Sequence, residues 1–284
     1  MNDNKENKWD LIIKPERKFF ELNFISLFKY KDLIFMFVKR DFVTFYKQTI
    51  LGPLWYIIQP IVNTLVFTII FGKVAKIPTD GLPPFMFYLA GNVAWGYFAV
   101  CLNATSNTFV SNAGIFGKVY FPRLIVPISH IIISLLQFFI QFIIFILFLI
   151  YFIYNESQIT PNYQMLFLPL ILFQTAMLSL GCGTIISALT AKYRDLTFAM
   201  TFLVQIWMFA TPIVYPLSLI PEKYQLLAAL NPMTSIVEIF RGAFLGQSTI
   251  DSFQIILSIF LTFFLLIIGL LLFNRVEKNF MDTV

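Results

Sequence analysis

The feature that most constrains this chain is a series of long apolar stretches without any Asp, Glu, Lys or Arg. After Lys47, for example, the next such residue is Lys73. A helix needs about 20 apolar residues to cross the hydrocarbon core, because each residue advances it by roughly 1.5 Å. Spanning strands would need alternating stretches of about ten residues, and the stretches here are longer and do not alternate. The sequence therefore predicts an all-α integral membrane protein.

Six stretches satisfy this length requirement, and none contains Asp, Glu, Lys or Arg. We place them near residues 53–72, 85–107, 125–153, 165–190, 197–216 and 253–273. Charged residues make up only 12% of the chain, against about 25% in a soluble domain. The first stretch long enough to insert begins near residue 50, so the N-terminus is not expected to be a cleavable signal peptide.

The basic residues predict the orientation. Six spans put both termini on one side, and that side holds most of the 20 Lys and Arg residues. The exceptions are Lys73, Lys76, Lys223 and Arg241. Because basic residues accumulate on the cytoplasmic side of a membrane, we expect both termini to be cytoplasmic.

The segment before the first span divides into two parts: a cytoplasmic tail, residues 1–23, and an amphipathic interface helix with an elbow, residues 24–48. When residues 24–48 are placed on a helix, one side of it is apolar: Leu27, Ile34, Phe35, Phe37 and Val38. The opposite side is charged: Lys29, Asp32, Lys39 and Arg40. Such a helix lies in the headgroup plane. It serves either as a membrane anchor or as a docking surface for a cytoplasmic partner, and both roles are compatible. Gly52 and Pro53 then start the first span.

Between the fifth and sixth spans lies a segment that is apolar but interrupted. Pro212 and Pro216 are expected to break the fifth helix. Two helical patterns follow, residues 223–230 and 233–246, and both are too short to cross the membrane. We expect them to be re-entrant helices packed against protein. Glu238 and Arg241 lie three residues apart and could pair. They form either a solvated pair on the outer surface, or a latch or substrate contact at the outer mouth.

No pattern in the chain predicts catalysis. The residues before Gly117 and Lys118 resemble a P-loop only superficially, because Asn112 and Val119 replace the leading Gly and the Ser/Thr metal ligand. The six spans also lack the carboxylates on which proton- or sodium-coupled transporters usually depend. We therefore expect no catalytic residues, no metal site and no nucleic-acid binding. His130, and likewise Cys101 and Cys182, are interpreted as buried structural residues.

Three aromatic residues lie toward the interior of the predicted spans, away from the interfaces where Trp and Tyr usually concentrate. They are Trp95, Tyr97 and Trp207. Rings with a polar edge would give a sliding glycan weak, repeated contacts, so these residues are candidates for lining a channel. The alternative is that they serve in packing alone.

Five strings in the chain together resemble one family. They are RDFVTFYKQTILGPLWYIIQP from Arg40, FGKVYFPR from Phe116, AKYRDL from Ala191, TPIVYP from Thr211 and LNPMTSIVEIFRGAFLG from Leu230. They resemble the membrane subunits of ABC type-2 exporters, in particular the polysaccharide subclass that exports lipid-linked O-antigen. The resemblance runs from about residue 24 to the C-terminus, and it makes residues 49–284 an ABC type-2 transmembrane domain.

The resemblance implies a homodimer that binds two copies of a separate ATPase subunit, on which ATP and Mg²⁺ would be bound. It implies a coupling loop between Asn112 and Arg123 that rests on the ATPase. The matching positions are Lys118, Phe121, Pro122 and Arg123. The alternative for the two basic residues is simple positive-inside anchoring. The resemblance also implies a cytoplasmic entrance for an anionic lipid pyrophosphate headgroup. The entrance positions are Arg40, Asp41, Tyr46 and Lys47.

The function expected from these features is that of a permease subunit in the bacterial inner membrane. It would belong to an ATP-driven exporter of lipid-linked, O-antigen-like polysaccharide. Exporters of teichoic acid, capsule or small amphiphiles stay open as alternatives. A multispanning membrane enzyme acting on lipid-linked sugars is the remaining alternative.

Overall fold

The computed structural model describes residues 28–47, 52–155, 159–193, 195–246 and 250–283, without the side chains of residues 45, 46, 53 and 278–283. All regular secondary structure in these ranges is helical. The predicted tail, residues 1–23, lies outside the described residues, as do residues 24–27 and 48 at the two ends of the predicted interface segment.

Ten α-helices are defined within the described ranges. They are α1 (Lys31–Lys47), α2 (Trp55–Phe67), α3 (Pro84–Ser106), α4 (Thr108–Phe116), α5 (Ile125–Tyr154), α6 (Leu168–Thr190), α7 (Leu196–Ala210), α8 (Glu222–Ala229), α9 (Pro232–Leu245) and α10 (Ser252–Thr283). Short 3₁₀ turns occur at Gly52–Leu54, Tyr163–Phe167 and Leu217–Leu219. A π-helical turn, Thr68–Val74, continues α2 without a break.

Five of the predicted spans are confirmed as helices long and apolar enough to cross a membrane. They are Trp55–Val74, Pro84–Ser106, Ile125–Tyr154, Tyr163–Thr190 and Ser252–Glu277. Their bounds agree with the predicted spans to within four residues. The length of the uncharged stretches was therefore a sufficient guide to these helices.

The fifth predicted span, residues 197–216, is shorter than expected. Helix α7 has 15 residues and ends at Ala210, so it is about 22 Å long, against about 30 Å of hydrocarbon. The chain turns at Thr211, whose N–H donates to Met208 O at 3.2 Å. Pro212 then has no N–H to offer a further turn, which explains why the apolar stretch continues but the helix does not.

Helix α3 lies at the centre of the bundle and packs against α2, α5, α6 and α9. Small residues permit this close packing. At Gly91 an added Cβ would lie 2.8 Å from Arg241 Nη2 and 3.0 Å from Ile213 Cγ2, so both neighbours approach the α3 backbone. Helix α2, in contrast, leaves much of its apolar surface exposed, including Trp55, which is 49% exposed.

Contacts between distant segments define the two ends of the bundle. At one end, the Phe37 ring of α1 lies 5.7 Å from the Phe121 ring, and Arg123 bonds to Glu277 near the end of α10. At the other end, Ser218 Oγ donates to Asp80 Oδ1 at 2.7 Å, close to the re-entrant helices α8 and α9. Helix α1 and the end of α10 therefore share one side of the bundle. That this side is cytoplasmic stays a prediction.

Candidate functional site

A polar cavity of about 730 Å³ opens between α1, α3, α4 and α5, at the end of the bundle that carries α1. Its size falls within the range of small-molecule sites, about 300–1,000 Å³. The side chains that give it polar character are Arg40, Asp41, Thr44, Asn103, Asn107, Ser111, Asn112 and His130. We call it the entrance cavity, because two of the predicted entrance residues line it.

Asp41 holds the Arg40 side chain in place. Arg40 Nε donates to Asp41 Oδ1 at 2.8 Å, and Arg40 Nη2 lies 2.7 Å from the same oxygen. The Arg40 guanidinium carbon also lies 4.5 Å from the centre of the Phe37 ring. The side chain of Arg40 is still 40% exposed. Asp41 accepts from only some of the five N–H donors of this guanidinium. The remaining donors are held in place, so Arg40 is suited to bind an anionic group that enters the cavity.

The other two predicted entrance residues are placed differently. Lys47 is the last residue of α1 and is exposed, but it does not line the cavity. Tyr46 belongs to the helix, and its side chain lies outside the described residues. Arg40 and Asp41 are therefore the two predicted entrance residues that line the cavity, and their role at an entrance stays a prediction.

Sequence reasoning missed His130, which was interpreted as a buried structural residue. Its Nδ1 atom lies 3.5 Å from Asp41 Oδ2, and its ring lines the cavity. His130 comes from α5 and Asp41 from α1, so only the packing of these two helices reveals the pair. A lone His in an apolar stretch carries no sequence signal of this kind.

Three asparagines line the cavity from α3 and the adjoining α4, and they too were missed. Asn107 Nδ2 donates to Asn103 O, and Asn112 Nδ2 donates to Thr108 O, both at 3.0 Å. Each bond uses one of the two N–H groups of its amide, which leaves donor and acceptor capacity on the same side chain. The cluster of Asn, Ser and Thr between residues 103 and 112 was the available signal, because it interrupts an apolar stretch on successive helical turns.

The predicted coupling loop, Asn112 to Arg123, begins inside α4, so only its residues 117–123 belong to the irregular connection to α5, and these face in two directions. Lys118 is exposed and Pro122 is half-buried, whereas Phe121 and Arg123 are only 5% and 8% exposed. Burial lowers the pKa of Arg123, and the Glu277 carboxylate opposes this shift. Phe121 and Arg123 therefore attach the loop to the bundle. Of the four matching positions, Lys118 is the exposed one that a partner could contact directly. Val119 and Tyr120 of the same loop, which were not among the four matching positions, are 57% and 79% exposed and add to that surface.

The three aromatic candidates for a channel lining lie inside the chain. Trp95 and Tyr97 are only 5% and 3% exposed, while Trp207 is half-buried. The rings of Trp95 and Trp207 meet edge-on at 6.4 Å, and Trp207 Nε1 donates to Asn231 Oδ1 at 2.9 Å. Packing accounts for these positions within one chain, and a lining role stays a prediction.

Glu238 and Arg241 pair, as their spacing predicted, but they are not a solvated surface pair. Arg241 Nη1 lies 3.1 Å from Glu238 Oε1, and the two residues are 1% and 4% exposed, respectively. Arg241 also donates to Pro212 O at 2.6 Å and to Ile213 O at 2.7 Å, and its guanidinium lies 3.7 Å from the Phe87 ring centre. The pair therefore fixes the turn after α7 against α9 and α3. Burial also keeps it from contacting a substrate in this arrangement.

Fold and site together define a multispanning membrane protein with a polar cavity at one end, a loop suited to contact a partner beside it, and re-entrant helices at the other end. A family model for the ABC-2 type transporter matches residues 32–245, about three quarters of the chain. The chain belongs to the ABC-2 type transporter family.

Among characterised proteins, the chain is similar to the O-antigen export system permease protein RfbA of Klebsiella pneumoniae, at 27% identity over 252 residues. That match covers 88% of this chain and 94% of the relative. RfbA of Myxococcus xanthus is 26% identical over 77% of this chain and 82% of its own length. The polysialic acid transport protein KpsM of Escherichia coli is 27% identical over 84% of this chain and 91% of its own length.

Proposed function

We propose that this chain is the membrane permease subunit of an ATP-driven exporter that moves a lipid-linked, O-antigen-like polysaccharide across the bacterial inner membrane. The family assignment supports transport. The names of the relatives support a polysaccharide, since two kinds of glycan exporter match over most of their length. The entrance cavity is the observation on this chain that carries the proposal, because it combines a basic side chain with amides at one end of a membrane bundle.

The chemistry of the cavity fits the head of a lipid-linked glycan. Arg40 would bind the phosphate groups, because a guanidinium forms charge-assisted hydrogen bonds with anionic oxygens. Asn103, Asn107 and Asn112 would hydrogen-bond sugar hydroxyls, which are neutral donors and acceptors. Asp41 and His130 position Arg40 and complete the polar wall. The lipid chain would stay in the bilayer, beside the apolar surfaces of the helices.

Energy for transport would come from a separate ATP-binding subunit, which would carry both ATP and Mg²⁺. We propose that two copies of this chain and two copies of the ATPase form the exporter, with both termini of this chain in the cytoplasm. The exposed side of the coupling loop, formed by Lys118, Val119 and Tyr120, would contact the ATPase. A loop stiffened by Pro122 would pass the movement of the ATPase into the helices that it joins.

The test begins with deletion of this chain from its natural host. We expect the glycan to accumulate on its lipid carrier inside the cell and surface glycan to disappear, with recovery when the wild-type chain is restored. When Arg40→Gln is expressed in the deletion strain, export should be at least fivefold lower than with the wild-type chain at equal protein abundance. Lys39→Gln is the matched control, because Lys39 is the adjacent basic residue but lines an apolar groove on the opposite face of α1.

The outcomes separate the proposed function from its alternatives. If a teichoic acid or capsule precursor accumulates, the substrate is that glycan and not an O-antigen-like polysaccharide, but the chain is still a transport subunit. Unchanged glycan together with lost drug resistance would favour an exporter of small amphiphiles. Chemical conversion of a lipid-linked sugar by the purified chain, without nucleotide, would refute transport and favour the enzyme. Equal export by Arg40→Gln and Lys39→Gln would refute the role of the entrance cavity.

A further inference from the structure

We infer that Arg123 and Glu277 lock the coupling loop to α10, so that movement of the loop is passed along α10 to the re-entrant helix α9 at the opposite end. This inference rests on the proposed function, because it requires an ATPase that moves the loop. The covalent chain connects the loop to α4 and α5 only. Through the lock, the loop is also attached to α10, so its movement would displace α10 directly as well as α4 and α5.

Two hydrogen bonds form the lock between residues that lie 154 positions apart in the chain. The backbone N–H of Arg123 donates to Glu277 Oε1 at 3.2 Å. The Arg123 side chain donates from Nη1 to the backbone oxygen of Glu277 at 2.7 Å. Because one bond uses the loop backbone and the other the helix backbone, both segments are held and not merely two flexible side chains.

An aromatic cluster surrounds the lock and makes it rigid. The Arg123 guanidinium lies 5.4 Å from the centre of the Phe116 ring and 6.0 Å from that of Phe109. The Phe109 ring in turn stacks on Phe273 of α10 at 4.6 Å, with an angle of 26° between the ring planes. Phe109 and Phe273 have no exposed surface. A cation held near aromatic rings away from water is attracted to them more strongly than at an exposed site, so the loop, α4 and α10 are expected to move together.

Helix α10 continues from the lock to the outer end of the bundle. Between Glu277 and Ser258 it rises about 28 Å, roughly the thickness of the hydrocarbon core. Ser258 Oγ donates to Pro232 O at 3.0 Å, and Ser235 Oγ donates to Gln254 O at 3.1 Å. Both bonds join α10 to the N-terminal turns of α9, and both serine side chains are fully buried.

Helix α10 is also packed closely enough to transmit a displacement. A Cβ added at Gly181 of α6 would lie 2.7 Å from the Cα of Leu266 on α10, so the two backbones touch where Gly181 lacks a side chain. Close contact of this kind through small residues is how helices associate firmly in membranes. The path from loop to α9 is thus a continuous set of hydrogen bonds and backbone contacts. Such a path is shown to carry coupling only when a change at one end alters the response at the other.

The experiment uses the whole complex of this chain with its ATPase subunit, reconstituted in liposomes. Leu227→Cys on α8 is the reporter, because Leu227 is 62% exposed beside α9, whereas the native Cys101 and Cys182 are buried. A membrane-impermeant maleimide measures how fast the reporter reacts with and without ATP. In the wild-type background we expect ATP to change this rate at least threefold.

Arg123→Gln should abolish that change, while the ATPase still co-purifies and hydrolyses ATP within twofold of wild type. Export per ATP hydrolysed should fall at least fivefold. Arg123→Lys should restore part of the response, because it keeps the charge. Glu277→Ala keeps the backbone acceptor, so it should reduce the labelling response to an intermediate degree. This variant replaces Arg123→Gln in the test if Arg123→Gln does not accumulate in the membrane. Arg275→Gln is the control, since it removes a positive charge from α10 near the lock, and it should behave as wild type.

Two results would overturn the lock. One is an ATP-dependent labelling change in Arg123→Gln that equals wild type. The other is a loss of response that parallels a loss of the co-purifying ATPase, which would make Arg123 a docking residue only. A wild-type complex without any ATP-dependent export would instead refute the proposed function, so the two failures are distinguishable.

Discussion

Removal of the Arg241 side chain is the sharpest test of how the outer end is held together. Arg241 is 1% exposed and bonds three acceptors: Glu238 Oε1, Pro212 O and Ile213 O. In Arg241→Met the apolar contacts with the Phe87 ring are largely kept, whereas the charge and all three hydrogen bonds are lost. The Glu238 carboxylate is then buried without its counter-charge.

The expected loss of stability follows from these contacts. Removing one partner of a buried ion pair costs about 3–5 kcal/mol, because the remaining charge stays in a poorly solvated place. The two carbonyl oxygens lose their donor at the same time, which places Arg241→Met at the upper end of that range. In Glu238→Gln, Arg241 keeps both carbonyl bonds, so we expect a smaller loss of about 1–3 kcal/mol.

The measurement is reversible unfolding in mixed detergent micelles, followed by helical circular dichroism. If the pair is coupled, the double variant Arg241→Met/Glu238→Gln should lose about 2 kcal/mol less than the sum of the two single losses, since Glu238 no longer carries an uncompensated charge. Lys223→Met is the control, because Lys223 is an exposed basic residue on α8, and it should stay within about 0.5 kcal/mol of wild type. A loss below about 1 kcal/mol in Arg241→Met, or strict additivity, would refute the reasoning.

Three further predictions concern positions where the packing is explicit. Gly181→Ala should destabilise the chain by about 1–3 kcal/mol in the same unfolding assay, because its Cβ would meet the backbone of α10; Gly114→Ala, with no atom within 4 Å of the added Cβ, should not. Gly246→Ala should cost about 1–2 kcal/mol, because Gly246 ends α9 with a φ of 85°. Both native thiols, Cys101 and Cys182, should resist a maleimide until detergent unfolds the chain, and rapid labelling of the folded protein would contradict their burial.

The sequence predicted most of the helices because membrane insertion depends on length and polarity, which a linear pattern records directly. The one clear error is α7, where the apolar stretch extends past Ala210 but the helix does not. Pro212 was recognised as a helix breaker, yet it was placed inside the predicted span. Pro212 therefore marked the helix end locally, whereas the contact that closes the turn has no local pattern, because Arg241 contributes its donors from 28 and 29 residues away.

The entrance cavity was only partly predictable for the same reason. Arg40 and Asp41 are neighbours in the chain, so their pairing was within reach of sequence reasoning. His130 reaches the same cavity from α5, and nothing in its own surroundings marks it as a polar partner, whereas Asn103 belongs to a polar cluster that sequence reasoning could have used. Burial in the coupling loop was equally hidden, because Phe121 and Arg123 belong to an irregular segment without a periodicity that would separate its buried and exposed sides.

Within the described part of the chain, the two buried basic residues hold irregular segments at opposite ends of the bundle. Arg123 donates to the backbone oxygen of Glu277 near the end of a helix, and Arg241 donates to the backbone oxygens of Pro212 and Ile213 just past the end of another. The carbonyl groups of Pro212 and Ile213 lie past the end of α7, and the buried Arg241 guanidinium supplies their donors. Between these ends the spans are joined by bonds of neutral side chains, such as Asn92 to Thr64 and Gln174 to Ser258. An exporter built this way would keep its irregular segments attached to particular helices through buried guanidinium groups at the two ends of the bundle.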